Sequence, residues 1–436
     1  MIYRVPYGTE MTTDLLWKLI QKHKGYVARA SKPLQDAYEN RYEIFMYPPK
    51  PPYKPDNRIA VNYAKYITDT FNGFFIGIPV KVTSPDEQVN EYVDYLNMTN
   101  DGDNNNAEIS KLCDISGASF EMYYNKEDGE TGITYLSDLE AFMVVDDSIL
   151  ERPMYFVRYY TDADKVERGS WSDKENVYHF YKKGGKYYLE DNPHRHGFMY
   201  VPAVEYIAND ERMGLFESAM PAINAYNKAL SEKANDVDYF ADAYMKIIGA
   251  KVDDEDTTHM RSTRVINFEG DISEGMPVVE FMGKPESDTS QEHLLERLKT
   301  DIFQMCMVAN ISDENFGTAS GIALRYKLEA MSNLFVAKSR RFTSAMIERY
   351  KIIFSSPIAQ QHKVSKDAWK DLDIKFTANY PANIESEAEV AKALEGVVSK
   401  ETQLKAISLV DNVTEELERL EAEQTPSVVD NIFTGA

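Results

Sequence analysis

His194 and His196 flank Arg195 at i, i+2, a spacing that on a strand presents two imidazoles on one face, where they can share a metal ion. No third ligand stands at motif spacing, so the pair reads as a structural or surface feature. Asp253-Asp254-Glu255-Asp256 has the carboxylate density that two-metal phosphodiester chemistry uses. Adjacent acids between a helix and a strand read first as a solvated turn. Gly317-Thr318-Ala319-Ser320-Gly321 has the residue types of a nucleophile elbow without its spacing, which is Gly-x-Ser-x-Gly. Ser320 is better placed to cap a helix that starts at Ile322. Cys113 and Cys306, the only cysteines, supply neither a disulfide framework nor a thiolate zinc site, and fit a reducing compartment. Neither a phosphate-cradling glycine loop nor a dinucleotide fingerprint follows any expected strand. No cofactor and no metal site is expected. The chemical alternative is an acidic metal-dependent nuclease using Asp253, Asp254 and Asp256.

Charge narrows the choice further. The 436 residues carry 48 Lys+Arg against 71 Asp+Glu, a net −23 at pH 7. Such a surface repels phosphate, so any contact with DNA must be local or non-adhesive. The length allows roughly three domains, and the 29 Tyr and 20 Phe argue against global disorder. No stretch approaches the roughly 18 apolar residues of a membrane span, and no targeting segment follows Met1, so the expectation is a soluble chain made in the cytoplasm.

The elements that must position these residues follow from periodicity. One or two helices are expected from Thr12 to about Tyr47, capped by Thr13 or Asp14. After the proline run from Pro48 to Pro55, a helix capped by Asp56 or Asn57 is expected over Ile59 to Asn72, ended by Gly73 and Gly77 before an Ile78-Pro79-Val80 strand. Aromatic and β-branched runs between residues 119 and 207 predict an antiparallel sheet with one wet face. From Ala222 to Ile248 the chain is Ala-rich and free of Pro and Gly, which predicts a helix of about 40 Å. Short strands at Arg264 to Phe268 and Val278 to Phe281 mark a small excursion before a returning helix from about Ser290 to Val308. Asn310 to Gly321 is expected to be a loop. The helix from Ile322 to about Phe354 is basic, and either binds DNA phosphate or pairs with acidic faces of neighbours. A strand from Asp373 to Ala378 and two acidic helices, Glu385 to Val397 and Lys400 to Glu423, complete the chain.

This order of elements, with Pro55-Asp56-Asn57-Arg58-Ile59, Asn62-Tyr63-Ala64-Lys65, Gly77-Ile78-Pro79-Val80, Ala225-Tyr226-Asn227 with Ser231 and Ala234-Asn235-Asp236, Ser312 to Gly317, Ser320 to Leu324, and Leu417-Glu418-Arg419, resembles the SPP1-type portal family of tailed bacteriophages. The likeness runs from about residue 50 to 424.

The resemblance implies an α+β portal fold with an α/β wing, long stem helices, a small α/β clip and a helical crown. On this sequence the wing takes 1–221 and 321–380, the stem 222–250 and 290–308, the clip 251–289, the tunnel loop 309–320 and the crown 381–424, with 425–436 a loose tail. It further implies a non-enzymatic ring of about twelve copies at one capsid vertex, through which double-stranded DNA passes during packaging and ejection. The partners it implies are the terminase packaging motor, head-completion or adaptor proteins, and major capsid and scaffolding proteins, with no membrane. Asn310, Ser312, Asp313, Asn315, Phe316 and Gly317 would form the tunnel loop, Arg297 and Lys299 the positive lining of the stem, and Ala225, Ala229 and Ala234 the close contact between neighbouring stems. A structural scaffold without an axial channel is the remaining reading.

Overall fold

The computed structural model describes residues 2–52, 54–190, 192–241, 245–248, 278–281, 288–311, 326–380 and 384–404, with isolated positions from 407 to 420. The chain opens with β1 (Tyr3–Val5), α1 (Thr13–Arg29) and α2 (Ser31–Tyr38). The Thr12 hydroxyl accepts from the Leu15 amide at 3.2 Å, so the cap falls just before the positions that the sequence suggested. Then follow α3 (Tyr63–Ile76), β2 (Lys81–Thr83), α4 (Glu87–Thr99) and α5 (Gly102–Ser116). The expected start of α3 at Ile59 is corrected: Asn62 caps it, accepting from the Lys65 amide at 3.1 Å. The amides before it are engaged elsewhere, as described below.

Strands β3 (Ala118–Asn125), β4 (Thr131–Ser137), β5 (Ala141–Asp146), β6 (Pro153–Thr161), β7 (Glu167–Ser172), β8 (Asn176–Lys183), β9 (Lys186–Leu189), β10 (His194–Arg195) and β11 (Ala203–Ile207) follow. They divide into two sheets rather than one. The larger runs β1-β5-β6-β7-β8-β10 with β9 on β8, and the smaller runs β11-β3-β4. β1 joins β5 in parallel, Tyr3 opposite Val144, so the larger sheet is mixed. Leu16, Leu19 and Ile20 of α1 cover its inner face over Phe142, Val144, Val157 and Phe180.

The long helix α6 (Met220–Ala241) is shorter than expected. Met245–Ile248 is instead β12, paired antiparallel with β13 (Val278–Phe281) from Met245 opposite Phe281 to Ile248 opposite Val278. A β-branched pair in Ile247-Ile248 suits a strand once a remote partner is present, and that partner is invisible to local periodicity. The chain returns as α7 (Asp288–Cys306), then α8 (Glu329–Phe354), α9 (Pro357–Gln361), β14 (Asp373–Lys375), α10 (Ile384–Ala393) and α11 (Lys400–Leu404). β14 pairs with β2, and Ile78–Val80 does not form the strand expected there. Two apolar cores lie on either side of α3. One joins α4, α5, β3 and the C-terminal half of α8, and the other joins α3, α6 and α7.

Candidate assembly interface

The helix pair α6–α7 is held from below by an unusual arrangement. Asn227, Ser231 and Asn235 recur every four residues and form one buried stripe of α6. Against it runs an extended segment, residues 57–61, whose alternate amides point the same way. Val61 N donates to Asn227 Oδ1 at 2.8 Å, Ile59 N to Ser231 Oγ at 2.9 Å and Asn57 N to Asn235 Oδ1 at 2.6 Å. The periods match, since four helical residues rise about 6 Å and two extended residues span about 6.6 Å. Three amides that would otherwise be orphans are thereby satisfied.

The other side of α6 faces α7 and α3. Lys233 pairs with Glu292, and Gln291 Nε2 donates to Asp236 Oδ2 at 3.1 Å. Below them Tyr63 meets Tyr226 and Phe303 edge-on, with ring centroids 5.1 and 5.7 Å apart. Ile223 and Ile302 are wholly buried in the same cluster.

The basic helix α8 is fixed from within the subunit. Lys338 Nζ lies 2.7 Å from Asp114 Oδ1 and donates to Ser110 Oγ at 2.8 Å, surrounded by Phe71, Phe75 and Phe342. Burial pushes the Asp114 carboxyl up to about 6, opposed by the Lys338 charge. One helical stretch further on, Arg349 Nε donates to Glu121 Oε2 at 2.8 Å and its other arm to Asn106 Oδ1 at 2.6 Å. The hydroxyls of Tyr123 and Tyr206 also donate to Glu121 Oε2. Arg341 reaches Asp210 and Lys351 reaches Glu348. Four of the helix's cations thus have acidic partners in their own chain, and the buried Lys338 and Arg349 are committed to the subunit core.

Ala225 is exposed on α6, while Ala229 and Ala234 are half-buried. Arg297 is exposed and pairs with Asp301 at 3.0 Å. Lys299 lies roughly 200° around the helix from it and is half-buried, so the two do not share a face. Asn310 and Ile311 end the described part of the loop; Ser312, Asp313, Asn315, Phe316 and Gly317 lie outside the described residues. So do Asp253, Asp254, Asp256, the Arg264–Phe268 strand, Gly317–Gly321, and most of 405–436.

His196 is buried with both nitrogens engaged. Nδ1 accepts from the Phe198 amide and Nε2 meets Asp173 O, each at 3.1 Å. Burial lowers its pKa, and it is a structural residue rather than a ligand. No group of three His, Cys, Asp or Glu among the described residues is arranged to hold a metal ion. Both thiols are pushed up to about 12 by burial.

The described residues thus form a mixed α and β chain with a polar-laced long helix, a returning partner and an internally fixed basic helix, and sequence comparison places it among phage portal proteins. The family described as "Phage portal protein, SPP1 Gp6-like" matches residues 18–427, and the chain belongs to it. The portal protein of Bacillus phage SPP1 is 24% identical over 398 residues, covering 85% of this chain and 76% of that one. The portal protein of Clostridium phage phiCD119 is also 24% identical, covering 85% of each chain. Among solved structures, a chain described as the neck of an empty GTA particle computed with C6 symmetry aligns at a TM-score of 0.41 and 12% identity, covering 81% of this chain and 89% of its own. The family is a structural one whose members are components of the phage particle. No helix among the described residues is long and apolar enough to cross a membrane.

Proposed function

We propose that about twelve copies of the chain close into a ring at one capsid vertex, leaving an axial channel through which double-stranded DNA enters and later leaves. Membership of the portal family over residues 18–427 is the observation that carries this reading. In it, α6 and α7 form the stem, 251–289 the clip, 309–320 the tunnel loop and 381–424 the crown, around a wing made of 1–221 and 321–380. The clip meets a terminase motor and then head-completion proteins. The wing meets capsid and scaffolding proteins, and assembly takes place in the host cytoplasm.

The charge supports a passive channel. Repeated about twelve times, −23 becomes roughly −280 around one axis, so a duplex finds no strong phosphate grip and slides without deep electrostatic wells. Work must then come from a separate ATP-hydrolysing motor. Ala225, on the exposed side of α6, and the partly exposed Ala229 and Ala234 let neighbouring stems approach closely, while Arg297 and Lys299 give the stem its local positive charge.

Negative-stain microscopy of the purified chain tests this. Rings with a central hole about as wide as a duplex are expected. Monomers, or closed particles without a hole, overturn it, and divalent-metal-dependent DNA cleavage would favour the nuclease alternative.

A further inference from the structure

The β5–β6 turn holds two apolar side chains in water by a rigid frame. Ile149 is 99% exposed and Leu150 64%. The Asp146 carboxylate accepts from Ser148 N at 3.2 Å, Ser148 Oγ at 2.6 Å and Arg152 N at 3.0 Å. Ser148 Oγ in turn accepts from Leu150 N at 3.3 Å. Glu151 sits at φ +44°, where residues other than glycine are uncommon, and its carboxylate is tied to Arg4. A register shift between Val144 and Val145 lies at the base of the same hairpin. Hydrogen bonds within the turn offset the cost of its left-handed backbone, whereas the apolar surface of Ile149 and Leu150 is left largely uncovered by the described residues. Asp147, beside the pair, has no cationic partner among the described residues. The tip is a preorganised apolar knob with an acidic flank.

A surface of opposite character lies elsewhere on the chain. Val336, Ser339, Arg340 and Thr343 of α8, with Ile374, Lys375 and Phe376 of the β14 segment, line a groove of about 440 Å³. Lys375 stands opposite Lys81 in the β2–β14 ladder, a pairing of like charges that is unfavourable by itself. Neither lysine nor Arg340 has an acidic partner among the described residues. Among the described residues β14 pairs only with β2, so its other edge has no strand partner there. Unmatched cations around an apolar floor, in a chain with a net −23, suit an apolar ligand with an acidic flank.

The two surfaces face different ways. Arg341, Ser344, Ala345 and Glu348 of α8 line a separate cleft that Glu151 and Arg152 also line, at the foot of the knob. At about 100° per residue, that face of α8 and the groove face are roughly 140° apart. A knob on one side and its complement on another give a head-to-tail contact, the kind that closes rings.

We propose that the Ile149–Leu150 knob of one copy seats in the groove between Val336 and Phe376 of the next copy, with Asp147 facing Arg340 and Lys375. The contact rests on the ring reading above. To test it, Ile149→Cys and Val336→Cys are introduced together and the assembled protein is mildly oxidised. Cys113 and Cys306 are buried and stay out of the reaction. A denaturing, non-reducing gel should show a ladder of covalent multimers, with neither single variant extending past a dimer. Independently, Asp147→Arg should weaken assembly at least tenfold, and adding Arg340→Asp should restore most of it. Rings that yield no ladder, or that form equally well with Asp147→Arg, overturn the contact while leaving the ring reading intact, and would assign the knob to another protein. Absence of both rings and ladder from the full chain overturns the two together.

Discussion

Ser231 and Ile59 are joined in both directions. The Ile59 amide donates to Ser231 Oγ at 2.9 Å, and the same hydroxyl oxygen lies within donating distance of Ile59 O at 3.1 Å and of Asn227 O at 2.7 Å. A single side chain thus replaces the hydrogen bonding that a strand would receive from a neighbouring strand, although its neighbour here is a helix.

Removing a rung leaves a buried amide without an acceptor. Ser231→Ala is expected to lower stability by about 1–3 kcal/mol, and Asn227→Ala by a similar amount, read as a lower urea midpoint. The double variant should cost less than the sum, because both side chains hold the same segment. Unchanged midpoints would show that the segment is held by other contacts.

Lys338 and Asp114 are both almost wholly buried. Lys338→Met alone strands the carboxylate and should cost about 3–5 kcal/mol, whereas Lys338→Met with Asp114→Leu should recover most of that loss. Thermal melts of the three proteins check this. A double variant no more stable than the single would mean that the pair is needed for more than charge balance.

His23 is buried, with Nδ1 2.9 Å from the Tyr159 hydroxyl, and burial lowers its pKa to about 3. Since the folded value lies below the usual one, the unfolded chain binds the proton first as pH falls. Its contribution is therefore complete above about pH 6.5 and is lost on acidification, at up to about 1.4 kcal/mol per pH unit. His196 acts with the same sign. His23→Phe should make the dependence of Tm on pH visibly shallower between roughly pH 6.5 and 4; an unchanged slope would exclude His23 as its source.

Gly117 closes α5 at φ +86°, and a Cβ there would lie 2.3 Å from the carbonyl carbon and oxygen of Arg212. Gly117→Ala should cost at least about 2 kcal/mol, since backbone must move in a conformation already unfavourable for alanine. A melting temperature equal to that of the unaltered chain would contradict this.

Elements that carry their own signal were legible in the sequence. The hairpin Tyr178 to Leu189 has aromatic runs and a Gly184-Gly185 turn, and it forms where expected. The returning helix and a strand starting at Asp373 were also readable in outline, while the pairing of that strand with Lys81–Thr83 was not. Helices α4 and α5 were not. The α5 opening, Gly102-Asp103-Asn104-Asn105-Asn106, has turn composition, but Asn105 donates to Asn100 O at 2.7 Å and the apolar side chains that follow pack against α3 and β3. Within the candidate interface, Asn227, Ser231 and Asn235 stood out as residues of the family pattern, while their use depended on a segment some 170 positions away. The partners of Lys338 and Arg349 were hidden for the same reason, being more than 220 positions away.

The polar stripe of α6 also has a mechanical consequence. Because residues 57–61 lie along the helix, a pull parallel to its axis strains all three rungs simultaneously, instead of unzipping them in turn. Force arriving along that helix passes directly into the chain leading to α3, so the two move as a single stiff lever.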